Sequence, residues 1–150
     1  MFKATQKQAA SRFVIAPTRA RAKGIPYVLV VDDDPRYLEL VKFALESAGF
    51  NVGTSTEPRS VHSLAIESKP AAIVLDISMP EMDGFEVAAN LRADPRTAHI
   101  PVLFLTARSA EGDRIRGMRT GAVAYLTKPF SPTVLIDTLR SVMKEVVWPL

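Results

Sequence analysis

The stretch Ala71–Gly84, AAIVLDISMPEMDG, constrains this chain more than any other. Ala72, Ile73, Val74 and Leu75 form a short apolar run without alternation, which delivers one carboxylate, Asp76, and then breaks at Met79-Pro80. A run of roughly four to eight β-prone residues bounded by turn formers reads as a strand covered on both faces, the kind a parallel sheet contains. Ligands of such sheets bind at the carboxyl ends of the strands, where Asp76 stands. Taken alone, Asp76 serves equally well as a cap for the following turn. The rest of the chain decides between the two.

The same grammar recurs on both sides. Tyr27–Val31 is an apolar strand ending in Asp32, Asp33 and Asp34, and Asp34-Pro35 is a helix start with proline at the first helical position. Leu38, Val41, Leu45 and Ala48 recur at helical steps, and Gly49 ends that helix. The spacing predicts a strand over Asn51–Thr54 and a helix over Ser60–Ser68. Asp83-Gly84-Phe85-Glu86 resembles a capping box with Asp in the capping place, and opens a helix to Ala93. Ile100–Leu105 is a strand ending at Thr106, Gly112–Thr120 an Arg-rich helix expected to be the least stable, and Ala124–Thr127 a strand ending at Lys128-Pro129. Ser131-Pro132 starts a last helix expected to run to about Val147. Five strands alternating with five helices imply an α/β fold with helices on both faces of a doubly wound parallel sheet.

Charge divides the chain in two. Residues 1–24 carry six basic and no acidic side chains, whereas residues 25–150 carry 13 basic against 16 acidic. The expectation is a basic N-terminal arm over residues 1–24, with Phe13, Val14 and Ile15 able to dock, followed by one mildly acidic domain over residues 25–150. There is no strong nucleic-acid signal in that domain. There is no cysteine, which excludes disulfides and thiolate metal sites. No apolar run approaches the roughly 20 residues that span a bilayer.

A doubly wound sheet brings the strand ends to one rim, and with them Asp32, Asp33, Asp76, Thr106 and Lys128. Crowded carboxylates repel one another unless a cation shares them, and an oxygen-only cluster suits Mg²⁺. A lysine and a hydroxyl beside it match the needs of phosphoryl transfer, with Asp76 as the nucleophile.

Together VLVVDDDP, VLDISMPEMDGFE, LTAR and GAVAYLTKPF resemble the receiver domain of two-component response regulators over about Tyr27–Val147. The separations of 43 residues from Asp33 to Asp76, 30 to Thr106 and 22 to Lys128 are close to those of that family. The resemblance implies a flavodoxin-like fold with strand order 2-1-3-4-5. It also implies that Asp76 accepts a phosphoryl group from a phosphohistidine of a sensor histidine kinase or phosphotransfer protein. Asp33 would bind Mg²⁺ directly, Asp32 through water, and the backbone carbonyl of Ser78 would complete the protein ligands. Thr106 would hydrogen-bond the phosphoryl group, Lys128 would pair with it, and Tyr125 would be the switch aromatic. The Lys128-Pro129 bond would be cis.

The expected protein is a cytoplasmic, apparently stand-alone regulatory switch. Its only chemistry would be Mg²⁺-dependent self-phosphorylation and self-dephosphorylation, and it would signal to a downstream protein target or through a phosphorylation-dependent homodimer. The alternative is a receiver fragment of a larger regulator. An aspartate-nucleophile phosphatase of the haloacid-dehalogenase type needs an acid where Ser78 stands and a cap insertion for which there is no room. Asp34 is expected to be only a cap, His62 and His99 incidental, and Ser78 and Arg108 to tune water access. Phe43 is expected on the solvent face of the first helix, as part of a kinase-docking surface. In the last helix, Leu135, Leu139, Val142 and Val146 should face the sheet, with Ile136, Met143 and Val147 in an outer row open to a partner.

Overall fold

The computed structural model describes residues 24–143. The arm before residue 24, and Val146, Val147 and the expected end of the last helix, lie outside the described residues. Five parallel strands, β1 (Tyr27–Val31), β2 (Asn51–Ser55), β3 (Ala72–Leu75), β4 (Val102–Thr106) and β5 (Ala124–Thr127), form one sheet in the order β2-β1-β3-β4-β5. Five helices connect and follow them: α1 (Pro35–Ser47), α2 (Val61–Ser68), α3 (Gly84–Ala93), α4 (Glu111–Arg119) and α5 (Pro132–Met143).

Both faces of the sheet are packed, which is why β1 and β3 are apolar at every position and β4 is apolar up to Thr106, which closes it. Leu29, Val31, Ile73, Leu75 and Phe104 join Val61, Leu64, Phe85, Val87 and Leu91 from α2 and α3 in one layer. Val28, Val30, Val74, Leu103 and Leu105 join Leu38, Val41 and Leu45 of α1 and Leu135, Leu139 and Met143 of α5 in the other. Full burial of a Leu, Ile or Val side chain is worth about 1.5–3 kcal/mol, so these two layers are the main source of stability. The strand order reverses between β1 and β3, and the crevice at their carboxyl ends opens there.

The starts of α1 and α3 are fixed by side chains. Asp34 Oδ1 accepts the Arg36 N–H at 3.0 Å ahead of Pro35, and Asp83 Oδ1 accepts the Glu86 N–H at 2.9 Å. Element ends differ slightly from the sequence expectation. β4 begins at Val102 because Pro101 has no N–H to give the ladder, although its carbonyl accepts from Ile73 at 2.9 Å. β2 runs on to the buried Ser55, whose Oγ accepts the Glu57 N–H at 3.0 Å, and a 3₁₀ turn over Pro58–Ser60 precedes α2. α4 is displaced by one residue and buries only Gly117.

The outer row expected on α5 needs correction. Met143 is only 3% exposed and belongs to the core, whereas Val142 is half-buried at its edge. Leu135, Leu139 and Met143 follow each other at steps of four, and α5 lies against both the sheet and α1, so the buried stripe turns toward α1.

Candidate functional site

The site is assembled from four strand ends. Past β1, Asp32 is buried (4% exposed) and Asp33 points outward beside it. The Asp32 N–H donates to the Ser55 carbonyl at 3.2 Å, and its Oδ1 accepts the Asp34 N–H at 2.9 Å. Past β3, the Asp76 N–H donates to the Val31 carbonyl at 3.0 Å, which sets the two acids side by side. Asp76 Oδ1 accepts the N–H of Ile77 at 2.7 Å and of Ser78 at 3.3 Å, so the carboxylate is fixed by its own turn. Thr106 closes β4 fully buried. Past β5, the Lys128 N–H donates to the Thr106 carbonyl at 2.8 Å, and its Nζ reaches Asp32 Oδ2 at 2.6 Å and Asp76 Oδ2 at 3.3 Å. The Lys128-Pro129 bond is cis.

α3 comes directly onto this turn. The Gly84 N–H donates to the Ile77 carbonyl at 2.9 Å, and a methyl group on Gly84 would collide with the Asp76 carbonyl oxygen. Glycine is therefore required by a close approach of backbone to backbone.

Charge is not balanced here. Burial pushes the Asp32 carboxyl above the ordinary carboxylate range, against the hydrogen bonds from Lys128 and the Asp34 N–H, and the Asp76 charge adds to the rise. Burial alone would lower Lys128, but the hydrogen bond and charge of Asp32, and then Asp76, outweigh it and hold it as an ammonium. One ammonium faces three carboxylates. Ligand oxygens of Asp32, Asp33 and Asp76 all lie within 4.8 Å of one another, an oxygen-only donor set that fits a hard divalent cation.

The remaining expected residues divide. Ser78 lies in the turn after Asp76, and its Oγ accepts from Arg108 Nε at 3.1 Å. Thr106 Oγ1 accepts the Arg108 N–H at 3.3 Å. Tyr125 stands apart from the acids: its hydroxyl donates to the Arg108 carbonyl at 2.8 Å and its ring packs 6.0 Å from Phe104. Burial, and then Asp113, push the phenol up, so it stays a donor. Asp34 is a cap, as expected. His62 bonds Asp94 at 2.8 Å, and His99 is exposed.

One residue escaped the sequence. The Lys128 ammonium sits 4.1 Å from the centre of the Tyr37 ring, and the Tyr37 hydroxyl accepts the Phe130 N–H at 3.1 Å. An aromatic in the first turn of a helix leaving the acidic strand end was the available signal. Beside Asp33 opens a groove of about 200 Å³, lined by Thr56, Glu57, Pro58, Pro80 and Glu81.

The family described as "Response regulator receiver domain" matches residues 28–140. The chain is 41% identical over 121 residues to the DNA-binding dual master transcriptional regulator RpaA of Synechocystis sp., covering 81% of this chain and 50% of that protein. It spans about half, or less, of the curated relatives it matches. The chemotaxis protein CheY4 of Vibrio cholerae superposes with a TM-score of 0.75 at 32% identity, over 79% of this chain and 99% of that one. The receiver domain of the sensor histidine kinase PA1611 from Pseudomonas aeruginosa PAO1, described with a magnesium ion coordinated in its active-site cleft, superposes with a TM-score of 0.75 at 26% identity, over 81% of this chain and all of that one.

Proposed function

Because this chain belongs to the response regulator receiver family, and so carries the receiver domain of a two-component system, we propose that Asp76 is its phosphoacceptor and that the aspartyl phosphate signals through protein contacts. The observation that carries this is the ammonium of Lys128 shared between Asp32 and Asp76, with Asp33 completing an oxygen cluster beside them. A carboxylate oxygen of Asp76 attacks the phosphorus of a phosphohistidine; the P–O bond forms as the P–N bond breaks, and the imidazole leaves with the electron pair. The Ile77 and Ser78 N–H groups hold the attacking carboxylate in place. Lys128 is free to exchange Asp76 for a phosphoryl oxygen, and the Thr106 hydroxyl, which now accepts from Arg108, has its proton to donate.

Mg²⁺, held by Asp32, Asp33, Asp76 and the Ser78 carbonyl, would neutralise charge on the transferring group. Donor and partner classes follow the same reading: a sensor histidine kinase or phosphotransfer protein in the cytoplasm supplies the phosphoryl group, and a downstream protein or a second phosphorylated copy receives the signal. Self-phosphorylation from a small donor and self-dephosphorylation use the same groups. A second reading, a receiver acting on a separate output domain, is favoured by the 50% coverage of RpaA.

The test is incubation of the full chain with Mg²⁺ and acetyl phosphate. Wild type should gain the mass of one phosphoryl group and Asp76→Asn should gain none. Mg²⁺ alone should raise the melting temperature of wild type, as a ligand that prefers the folded state does. Labelling of Asp76→Asn to the wild-type extent would place the acceptor elsewhere.

A further inference from the structure

Glycine is among the poorest helix formers, yet Gly117 sits in the second turn of α4 and is the one residue that helix buries. A methyl group at Gly117 would stand 2.9 and 3.1 Å from Cδ2 and Cε2 of Tyr125, and 3.2 Å from Cδ2 of Phe104. Unbonded carbons settle at about 3.5–4.0 Å, so only hydrogen at this position leaves both rings where they are.

Of the two rings, one can move. Phe104 is fully buried between Phe85, 5.7 Å away, and Tyr125, 6.0 Å away, with the core around it. Tyr125 stands on the outer strand β5 and is half-buried. Its inward side is closed by Phe104, so a displaced Tyr125 ring has to go outward. That would carry its hydroxyl off the Arg108 carbonyl, to which it donates at 2.8 Å. The Arg108 N–H in turn donates to Thr106 Oγ1 at 3.3 Å, so the ring is two hydrogen bonds from the hydroxyl at the end of β4.

We propose that Gly117 is the positioning residue for Tyr125: by presenting hydrogen where any other residue has a carbon, it opens a seat on α4 in which the ring packs inward and holds the Arg108 carbonyl. It thereby sets the balance between inward and outward positions of that ring. The seat rests on packing alone; its signalling consequence rests on the reading of Tyr125 as the side chain that responds to phosphorylation. Phosphorylation can move that balance only by as much as the two positions differ in their interaction with the phosphorylated site, so the residue at 117 sets the starting point.

The experiment uses the full chain labelled with 3-fluorotyrosine. Three tyrosines give three fluorine signals, and Tyr125→Phe identifies the one of interest. A soluble gadolinium chelate reports how exposed each ring is. Without phosphodonor, Gly117→Ala should make the Tyr125 signal more sensitive to the chelate, with an inward-to-outward ratio reduced about fivefold, the worth of one net hydrogen bond. An unchanged Tyr125 signal overturns the proposal.

A stability cycle supplies the second measurement. In a Tyr125→Ala background the seat is empty, and Gly117→Ala should raise the melting temperature as glycine-to-alanine does inside helices. With Tyr125 present that gain should vanish or reverse. Equal effects in the two backgrounds, or unfolding in both, would put the clash on Phe104 and overturn the proposal. Finally, acetyl phosphate with Mg²⁺ should shift the Tyr125 signal fully in wild type and only partly in Gly117→Ala, with equal phosphorylation of Asp76 by mass. If the wild-type signal ignores acetyl phosphate while the Gly117 contrast persists, the seat stands and the reading of Tyr125 as the responding side chain falls.

Discussion

Single residues in this chain act through the partners that the fold gives them, and Asp94 shows how far that reaches beyond the acidic cluster. It follows α3, and its carboxylate accepts from Arg96 Nε at 3.1 Å, Arg96 Nη2 at 2.8 Å and the Arg96 backbone N–H at 2.8 Å, with His62 Nε2 2.8 Å away. The guanidinium of Arg96, then its backbone N–H, hold the Asp94 carboxyl well below the usual carboxylate range. A carboxyl lowered in the folded state is ionised there while the unfolded chain still binds the proton. Its contribution is therefore complete above the ordinary value of 3.8 and drains away as pH falls below it. Asp94→Asn should be less stable than wild type at about pH 6, and the gap should begin to narrow only as pH falls below the ordinary value of 3.8, shrinking steadily with further acidification. Urea midpoints of the two proteins across that range check this; a gap independent of pH would mean that the carboxylate contributes shape and not charge.

At the scale of elements, α1 shows a helix with two different jobs on its two sides. Leu38, Val41 and Leu45 are buried, and the Asp34-Pro35 start is capped, so the fold is served by one stripe. Phe43 is 75% exposed and Leu40 58%, although an aromatic gains nothing from water. α1 begins at the rim that carries Asp32 and Asp33, and on the function proposed above a partner delivering a phosphoryl group there would meet this face. Phe43→Ala should slow phosphoryl transfer from the cognate kinase by about tenfold, in line with an interface aromatic, and leave the rate with acetyl phosphate unchanged. Equal slowing of both reactions would mean that Phe43 supports the fold. α5 teaches the opposite lesson, because Met143, expected on an outer row, is part of the core.

The whole molecule is a sheet with two separate apolar layers, and beyond Leu40 and Phe43 on α1 four further large apolar side chains stand exposed among the described residues. Ile115 and Met118 on α4, Val123 ahead of β5 and Val134 on α5 are each at least 40% exposed. The residue to test for phosphate-dependent self-association is therefore Met118, not Met143. Met118→Lys should keep the wild-type melting temperature and phosphorylation while weakening any association seen by sedimentation after acetyl phosphate treatment. Met143→Lys should instead destabilise the fold itself, since truncating a buried methionine already costs about 2–5 kcal/mol and a charge adds to that. If Met118→Lys associates as wild type does, the output face lies elsewhere.

Strand and helix positions, the capping acids and the gathering of Asp32, Asp33, Asp76, Thr106 and Lys128 on one rim were readable from the residues alone. Each depends on local rules: apolar runs that need cover on both faces, side chains that satisfy the first N–H groups of a helix, and a sheet that brings strand ends together. What the sequence could not decide depends on atoms far apart in the chain. Lys128 reaches Asp32 across 96 positions, Tyr37 lies under that ammonium, and Met143 is drawn inward because α5 leans on α1 as well as on the sheet. The close approaches at Gly84 and Gly117 belong to the same class. A periodicity says which side of a helix is apolar, but only the packed neighbour fixes how far that side extends and where a single methyl group has no room.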